Sequence, residues 1–203
     1  MNKTIAFHLN HMSERGTEVS IFNYAKYNQI LLGNKSIIIV NRKKIFNSLE
    51  KFIIDSLVKL NLVNKNNLKL FSKRHRSTFL KFTENFEVFF YDNSSEIDLI
   101  CRENKVDYFY AQKYGIKDNV ISNYCKNLIH VIFMANEPHG DKYLYISEWL
   151  SKKMTGNSNN YVPYIVDGKS IDFSGDLRGK FNISNDHIVL ASYGGKKVFD
   201  IPF

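Results

Sequence analysis

The sequence predicts an α/β chain organised on a doubly wound parallel sheet with helices on both faces. Three observations carry that expectation. Seven short runs rich in β-branched and aromatic residues recur along the 203 residues, and helically patterned segments separate them. One of the runs, Ser36-Ile37-Ile38-Ile39-Val40, is apolar throughout, as a strand buried on both faces must be. The length is ample for one large core, and 44% hydrophobic with 24% charged residues excludes a disordered or low-complexity chain.

The elements follow in order. The first strand runs through Thr4-Ile5-Ala6-Phe7-His8-Leu9. Thr17 then caps a helix whose apolar face is Val19, Ile21, Phe22, Ala25, Ile30 and Leu31, and Gly33 stops it. Strand 36–40 comes next. Residues 46–60 read as an amphipathic helix inside a basic insertion, 41–86, that is larger than one crossover needs. Strand 87–91 leads to helix 95–105, which opens with a capping serine and an acidic turn. Strand 108–111, helix 116–127, strand 130–134, helix 143–154 and strand 161–165 complete the first domain, residues 1–166. Tyr143, Tyr145 and Trp149 fall at roughly helical spacing and read as core. Residues 167–186 form a polar linker. Residues 187–203 read as the start of a second Rossmann-like domain, whose apolar strand 187–193 is expected to add to the first sheet or to pair with a second copy.

Charge is concentrated in one place. The chain carries 28 Lys and Arg against 20 Asp and Glu. Between residues 41 and 82, eleven basic side chains face only Glu50 and Asp55, a net of about +9. Such a segment suits nucleic acid or an anionic membrane. Phe71, Phe79, Phe82 and Phe86 interleave with it, either as stacking platforms or, more ordinarily, as packing onto the core. A non-catalytic binding module is therefore the alternative reading, with nucleic acid the less favoured partner. No apolar run reaches the length of a membrane span, and the N-terminus has no leader-like core. The expected location is cytoplasmic, with membrane association through the basic segment. Cys101 and Cys125 are too few for a disulfide framework and read as small core hydrophobes.

Ligands of open parallel sheets collect at the carboxyl ends of strands. The loops expected there are 10–17, 112–115 and 136–141. The first lacks the G-x-G-x-x-G fingerprint but sets Arg15, Gly16 and Thr17 at a helix N-terminus, where free N–H groups can meet an anion. The second supplies Lys113. The third, Pro138-His139-Gly140-Asp141, pairs a histidine with a carboxylate two residues on, as a general base or a binder of sugar hydroxyls. Loops 10–17 and 136–141 are expected at one sheet edge. No metal site is indicated: His8 and His11 lack a third ligand.

Arg15-Gly16-Thr17-Glu18-Val19, with Tyr24-Ala25 and Leu32-Gly33-Asn34-Lys35-Ser36, resembles the first β-α-β unit of GT-B glycosyltransferases. It is similar to the Gly-Gly-x-Glu opening of the retaining family 4 group, with Arg15 in place of the first glycine. The stretch from Pro138 to Leu150, then Tyr161 to Val166, resembles glycosyltransferase-like proteins of bacteria and large viruses. The tail, Tyr193-Gly194-Gly195 with Phe199-Asp200-Ile201, resembles the opening of a GT-B C-terminal domain. The resemblance implies the acceptor-side half of such an enzyme. It implies transfer from a nucleotide-sugar to a glycan, lipid or protein hydroxyl once a donor domain is joined, with no other cofactor. It implies Gly16 and Thr17 at the interdomain cleft, His139 and Asp141 near the reacting sugar, and Lys196 or Lys197 at the donor phosphate.

Overall fold

The computed structural model describes residues 2–13, 15–42, 45, 48–60, 76–166 and 176–189. The chain divides into two compact units, 1–166 and 167–203. The first unit is a six-stranded, all-parallel sheet ordered β3-β2-β1-β4-β5-β6. Its strands are β1 (Thr4–Leu9), β2 (Lys35–Asn41), β3 (Glu87–Tyr91), β4 (Tyr108–Lys113), β5 (Lys126–Val131) and β6 (Lys142–Tyr145). Its helices are α1 (Gly16–Leu32), α2 (Ser48–Lys59), α3 (Arg76–Asn85), α4 (Ser95–Glu103) and α5 (Glu148–Thr155). This is a Rossmann-like doubly wound fold, with the strand order reversing between β1 and β4.

The winding follows from crossover handedness. Passing from β1 to β3 the chain steps one way, so α1, α2 and α3 fall on one face. After α4 it steps back across the sheet, and the same right-handed rule places α4 on the other. Two clusters fill the two faces. Phe7, Leu9, Ile38 and Val40 pack with Ile21, Phe22 and Ala25 of α1, Ile54 of α2 and Phe79 and Phe82 of α3. Ala6, Ile37, Ile39, Phe109, Ile129 and Tyr145 pack with Ile97, Ile100 and Cys101 of α4 and Leu150 of α5. The phenylalanines of the basic insertion that are described, Phe79, Phe82 and Phe86, are thus core residues. Phe71 lies outside the described residues.

Helix α1 ends at Gly33, whose left-handed backbone (φ 64°) lets its N–H reach the Gln29 carbonyl at 3.1 Å. Its buried face differs from the expected one. Ile21, Phe22 and Ala25 are buried, but Val19, Ile30 and Leu31 are exposed. Asn28 takes the buried position one turn on, because its amide donates to Ser36 Oγ (2.8 Å), which donates to the Ala25 carbonyl.

Three further expectations are corrected. Residues 116–125 form no helix, and β5 begins at Lys126. Short polar side chains there capture the backbone: Asp118 Oδ1 accepts from Val120 N, Ser122 Oγ from Tyr124 N, Asn127 Oδ1 from Ser122 N and Asp98 Oδ1 from Asn123 N. These bonds replace the helical ladder. Residues 142–145 are an edge strand, and α5 starts only after Ser147, whose hydroxyl caps Leu150 N at 3.2 Å. Tyr145 is accordingly buried on the sheet while Trp149 is exposed. Of 161–165, only Tyr161 bridges to Tyr145. The rest is held by side chains: Tyr24 and Asn23 donate to the Pro163 and Ile165 carbonyls and His130 Nε2 to Val162 O.

In the second unit, the short helix α6 (Leu177–Lys180) is capped by Asp176, which accepts from Gly179 N at 2.9 Å. Residues 187–189 are not in a strand, and 190–203 lie outside the described residues.

Candidate functional site

The carboxyl ends of β1 and β4 meet at the point where strand order reverses, the place where an open parallel sheet leaves a crevice. The chain leaves β1 through residues 10–15 and enters α1 there. Arg15 is extended at the N-cap (φ −109°, ψ 164°), exposed, and makes no side-chain cap. Glu18, one turn in, is only 4% exposed. Its carboxylate accepts from Ser13 Oγ and Thr17 Oγ1, both at 2.8 Å. A buried carboxylate in the first turn is favoured by the helix dipole and already supplies the anion that the bare helix end would attract. The loop therefore offers an acceptor lined by hydroxyls rather than a vacant phosphate cradle. Gly16 is open, with no atom near where a Cβ would stand.

Lys113, the last residue of β4, is 4% exposed, with its ammonium 2.5 Å from Asp118 Oδ1 and 3.4 Å from His139 Nε2. Burial pulls its pKa down from the usual lysine value, against the pull of Asp118. His139 is buried, with Nδ1 2.7 Å from the Glu137 carbonyl. A carbonyl can only accept, so Nδ1 carries the proton and Nε2 presents its lone pair to Lys113. The ring stands edge-on to Tyr143, at 5.5 Å between centroids. Tyr143 in turn donates to Gly115 O at 2.6 Å, tying the crossovers 114–125 and 132–141 together.

Asp141 lies elsewhere. It immediately precedes β6, accepts from Asn127 N at 2.7 Å and donates its own N–H to Asn127 O at 2.9 Å. It thus sits at the amino edge beside the start of β5, and is a register pin. Residues 140–141 and 10–17 occupy opposite edges, because one pair enters a strand and the other loop leaves one. The loop 136–141 therefore runs from one edge towards the other: Glu137 bonds to Gly115 and His139 to Lys113 past the end of β4, whereas Asp141 bonds to Asn127 and cannot share a cleft with 10–17. Lys196 and Lys197 lie outside the described residues.

Further polar groups gather at the carboxyl edge. His8 Nε2 and Tyr91 Oη are 2.8 Å apart across the ends of β1 and β3, and burial raises the Tyr91 phenol to about 12. Arg42, following β2, pairs with Asp92, following β3, and at 2.7 Å with Asp55 of α2. Gln112 Nε2 donates to Ser20 Oγ at 2.6 Å, while its buried Oε1 has no partner among the described residues. Arg42 and Asp92 were legible in principle, since each directly follows one of two strands that pair as neighbours. Asp118 was hidden in a segment that reads as helix.

A separate hollow of about 490 Å³ opens at the amino edge, lined by Lys3, Asp107, Tyr124, Cys125, Lys126 and Asp141 among others. Lys3 and Asp107 neutralise each other there at 2.9 Å, and Asp107 also takes Thr4 N. Lys3, Asp107 and Asp141 are thus engaged in structural bonds at this edge. Among the described residues no group of three or more metal-ligating side chains occurs, and no helix is long and apolar enough to cross a membrane. The chain matches no protein-family model and no curated protein.

Proposed function

We propose that residues 1–166 are the acceptor-side domain of a GT-B-type glycosyltransferase-like protein, and that the crevice between β1 and β4 holds a hydroxyl-bearing sugar. The observation that carries this is Glu18: a buried carboxylate, flanked by Ser13 and Thr17, at the strand-order reversal of a Rossmann-like sheet. Carboxylate and hydroxyl oxygens accept from, and donate to, sugar hydroxyls, whereas a phosphate at the same place would be repelled. The Rossmann-like sheet and the Arg15-Gly16-Thr17-Glu18 opening support the family reading.

In this reading a nucleotide-sugar is bound by a second α/β domain facing the crevice, and that domain neutralises the leaving diphosphate. His139 contacts the acceptor through Nε2. Its Nε2 lone pair becomes available when a substrate hydroxyl displaces the long 3.4 Å contact with Lys113. Asp141 has no part in the transfer.

Amide NMR of the 203-residue chain tests the reading. Mono- and disaccharides are expected to shift the resonances of Ser13, Gly16, Thr17 and Glu18, and Glu18→Gln to weaken that response. No sugar transfer from a nucleotide-sugar is expected from the chain alone, because transition-state binding needs both walls of the cleft. Turnover by the isolated chain, or a saccharide response confined to other residues, overturns it.

A further inference from the structure

Among the described residues, helix α2 is fastened to its unit through one side. Ile54 is fully buried against the sheet, and Asp55 pairs with Arg42 at 2.7 Å. Stepping around the helix by about 100° per residue places Leu49, Phe52, Ile53 and Leu60 within one arc of roughly 100° on the side away from Ile54. The turn continues through Leu60, whose N–H reaches the Ser56 carbonyl at 3.1 Å. All four are open to solvent, at 68%, 70%, 40% and 67% respectively. Isolated exposed apolar residues need no explanation, but three on one stripe of a 12-residue helix, continued by Leu60 just past its end, mark a surface made to be covered.

The surrounding charge selects the cover. Lys59, exposed, borders the stripe, and the segment 41–82 that contains the helix carries eleven basic residues against Glu50 and Asp55. The helix thus has the apolar stripe of an interfacial helix, with Lys59 at its border, inside a segment whose sequence is strongly basic. We propose that α2 docks this unit onto an anionic lipid surface. Leu49, Phe52, Ile53 and Leu60 enter the boundary between headgroups and acyl chains, and Lys59 beside them meets the lipid phosphates. Two other occupants fit less well. A second copy would bring together two chains whose 41–82 segments are each about +9 in sequence, with like-charge repulsion between them. Nucleic acid would need several exposed aromatic platforms, yet among the described residues of the segment Phe52 alone is exposed, while Phe79 and Phe82 are core. The proposal stands independently of the glycosyltransferase reading.

Sedimentation of the 203-residue chain with vesicles tests it. One set is phosphatidylcholine alone, the other includes roughly a third phosphatidylglycerol. Binding is expected to the anionic set only, weakening on the order of tenfold as salt shortens the screening length. The double substitution Phe52→Ser, Leu60→Ser is expected to weaken it about tenfold or more with an unchanged thermal melt, since both side chains are already in water. Absence of vesicle binding at low salt overturns the proposal, as does binding that the double substitution leaves intact. So does a chain that ignores vesicles but self-associates, or binds an oligonucleotide, through the same two side chains.

Discussion

Lowering the pH from 7 to 5 is expected to remove about 2 kcal/mol of folding stability through one side chain, His130. The residue is 2% exposed on β5, and its two ring nitrogens are both committed. Nε2–H donates to Val162 O at 2.9 Å, and Nδ1 accepts from Tyr110 Oη at 2.5 Å. A proton on Nδ1 would face a hydroxyl already oriented to donate. Burial is the main cause that carries the pKa from 6.5 down to about 4. On acidification the unfolded chain therefore takes the proton first. The contribution is whole above about pH 6.5 and is lost progressively as the pH falls towards 4. A depression of that size is worth about 3 kcal/mol in full, with about 2 kcal/mol gone by pH 5. Urea unfolding followed by far-ultraviolet circular dichroism, repeated across this window, gives the slope. His130→Gln keeps a donor for Val162 and an acceptor for Tyr110 but cannot titrate. Its stability should be flat between pH 6.5 and 5, apart from whatever the other histidines contribute to both proteins. Equal slopes in the two proteins would refute the assignment.

Three other outcomes are expected. Gly140 has a left-handed backbone (φ 77°), and a Cβ there would stand 2.9 Å from Ile129 Cγ1 and 3.1 Å from Asn127 O, so Gly140→Ala should cost about 1–3 kcal/mol in denaturant titration; an unchanged midpoint would show that the 132–141 crossover is not held as described. Asp118→Asn leaves the buried Lys113 ammonium without its carboxylate and should cost about 2 kcal/mol, less than a fully buried pair because Asp118 is half exposed; adding Lys113→Met should recover part of that loss, and a further loss would argue against it. Iodoacetamide should modify Cys125 before Cys101, as followed by peptide mass spectrometry, because a hydrogen bond from Cys101 lowers the Cys125 thiol while that bond and burial push Cys101 far up; equal rates would contradict the pairing.

What the sequence by itself determined is the layered plan. The runs at 4–9, 36–40, 87–91 and 108–111 became β1 to β4 because each is a local block of strand-forming side chains, and burial on both faces of a parallel sheet demands that composition. The same local logic placed α1 and its stop at Gly33. The Arg15-Gly16-Thr17 turn was found for the same reason, since a helix start is written in adjacent residues. Only the tertiary structure decided the other half of the sheet and the makeup of the site. Residues 116–125 have helical patterning, but bonds to Asp98 and Asn127, distant or later in the chain, hold them in an irregular path instead. Glu18, Lys113, Asp118 and His139 became neighbours, or buried, through strand order and crossover paths. Asp141 was carried to the opposite edge, although it is two residues from His139. Spacing along a chain reports side-chain proximity only while the backbone stays in one element, and between His139 and Asp141 the chain is entering a new strand.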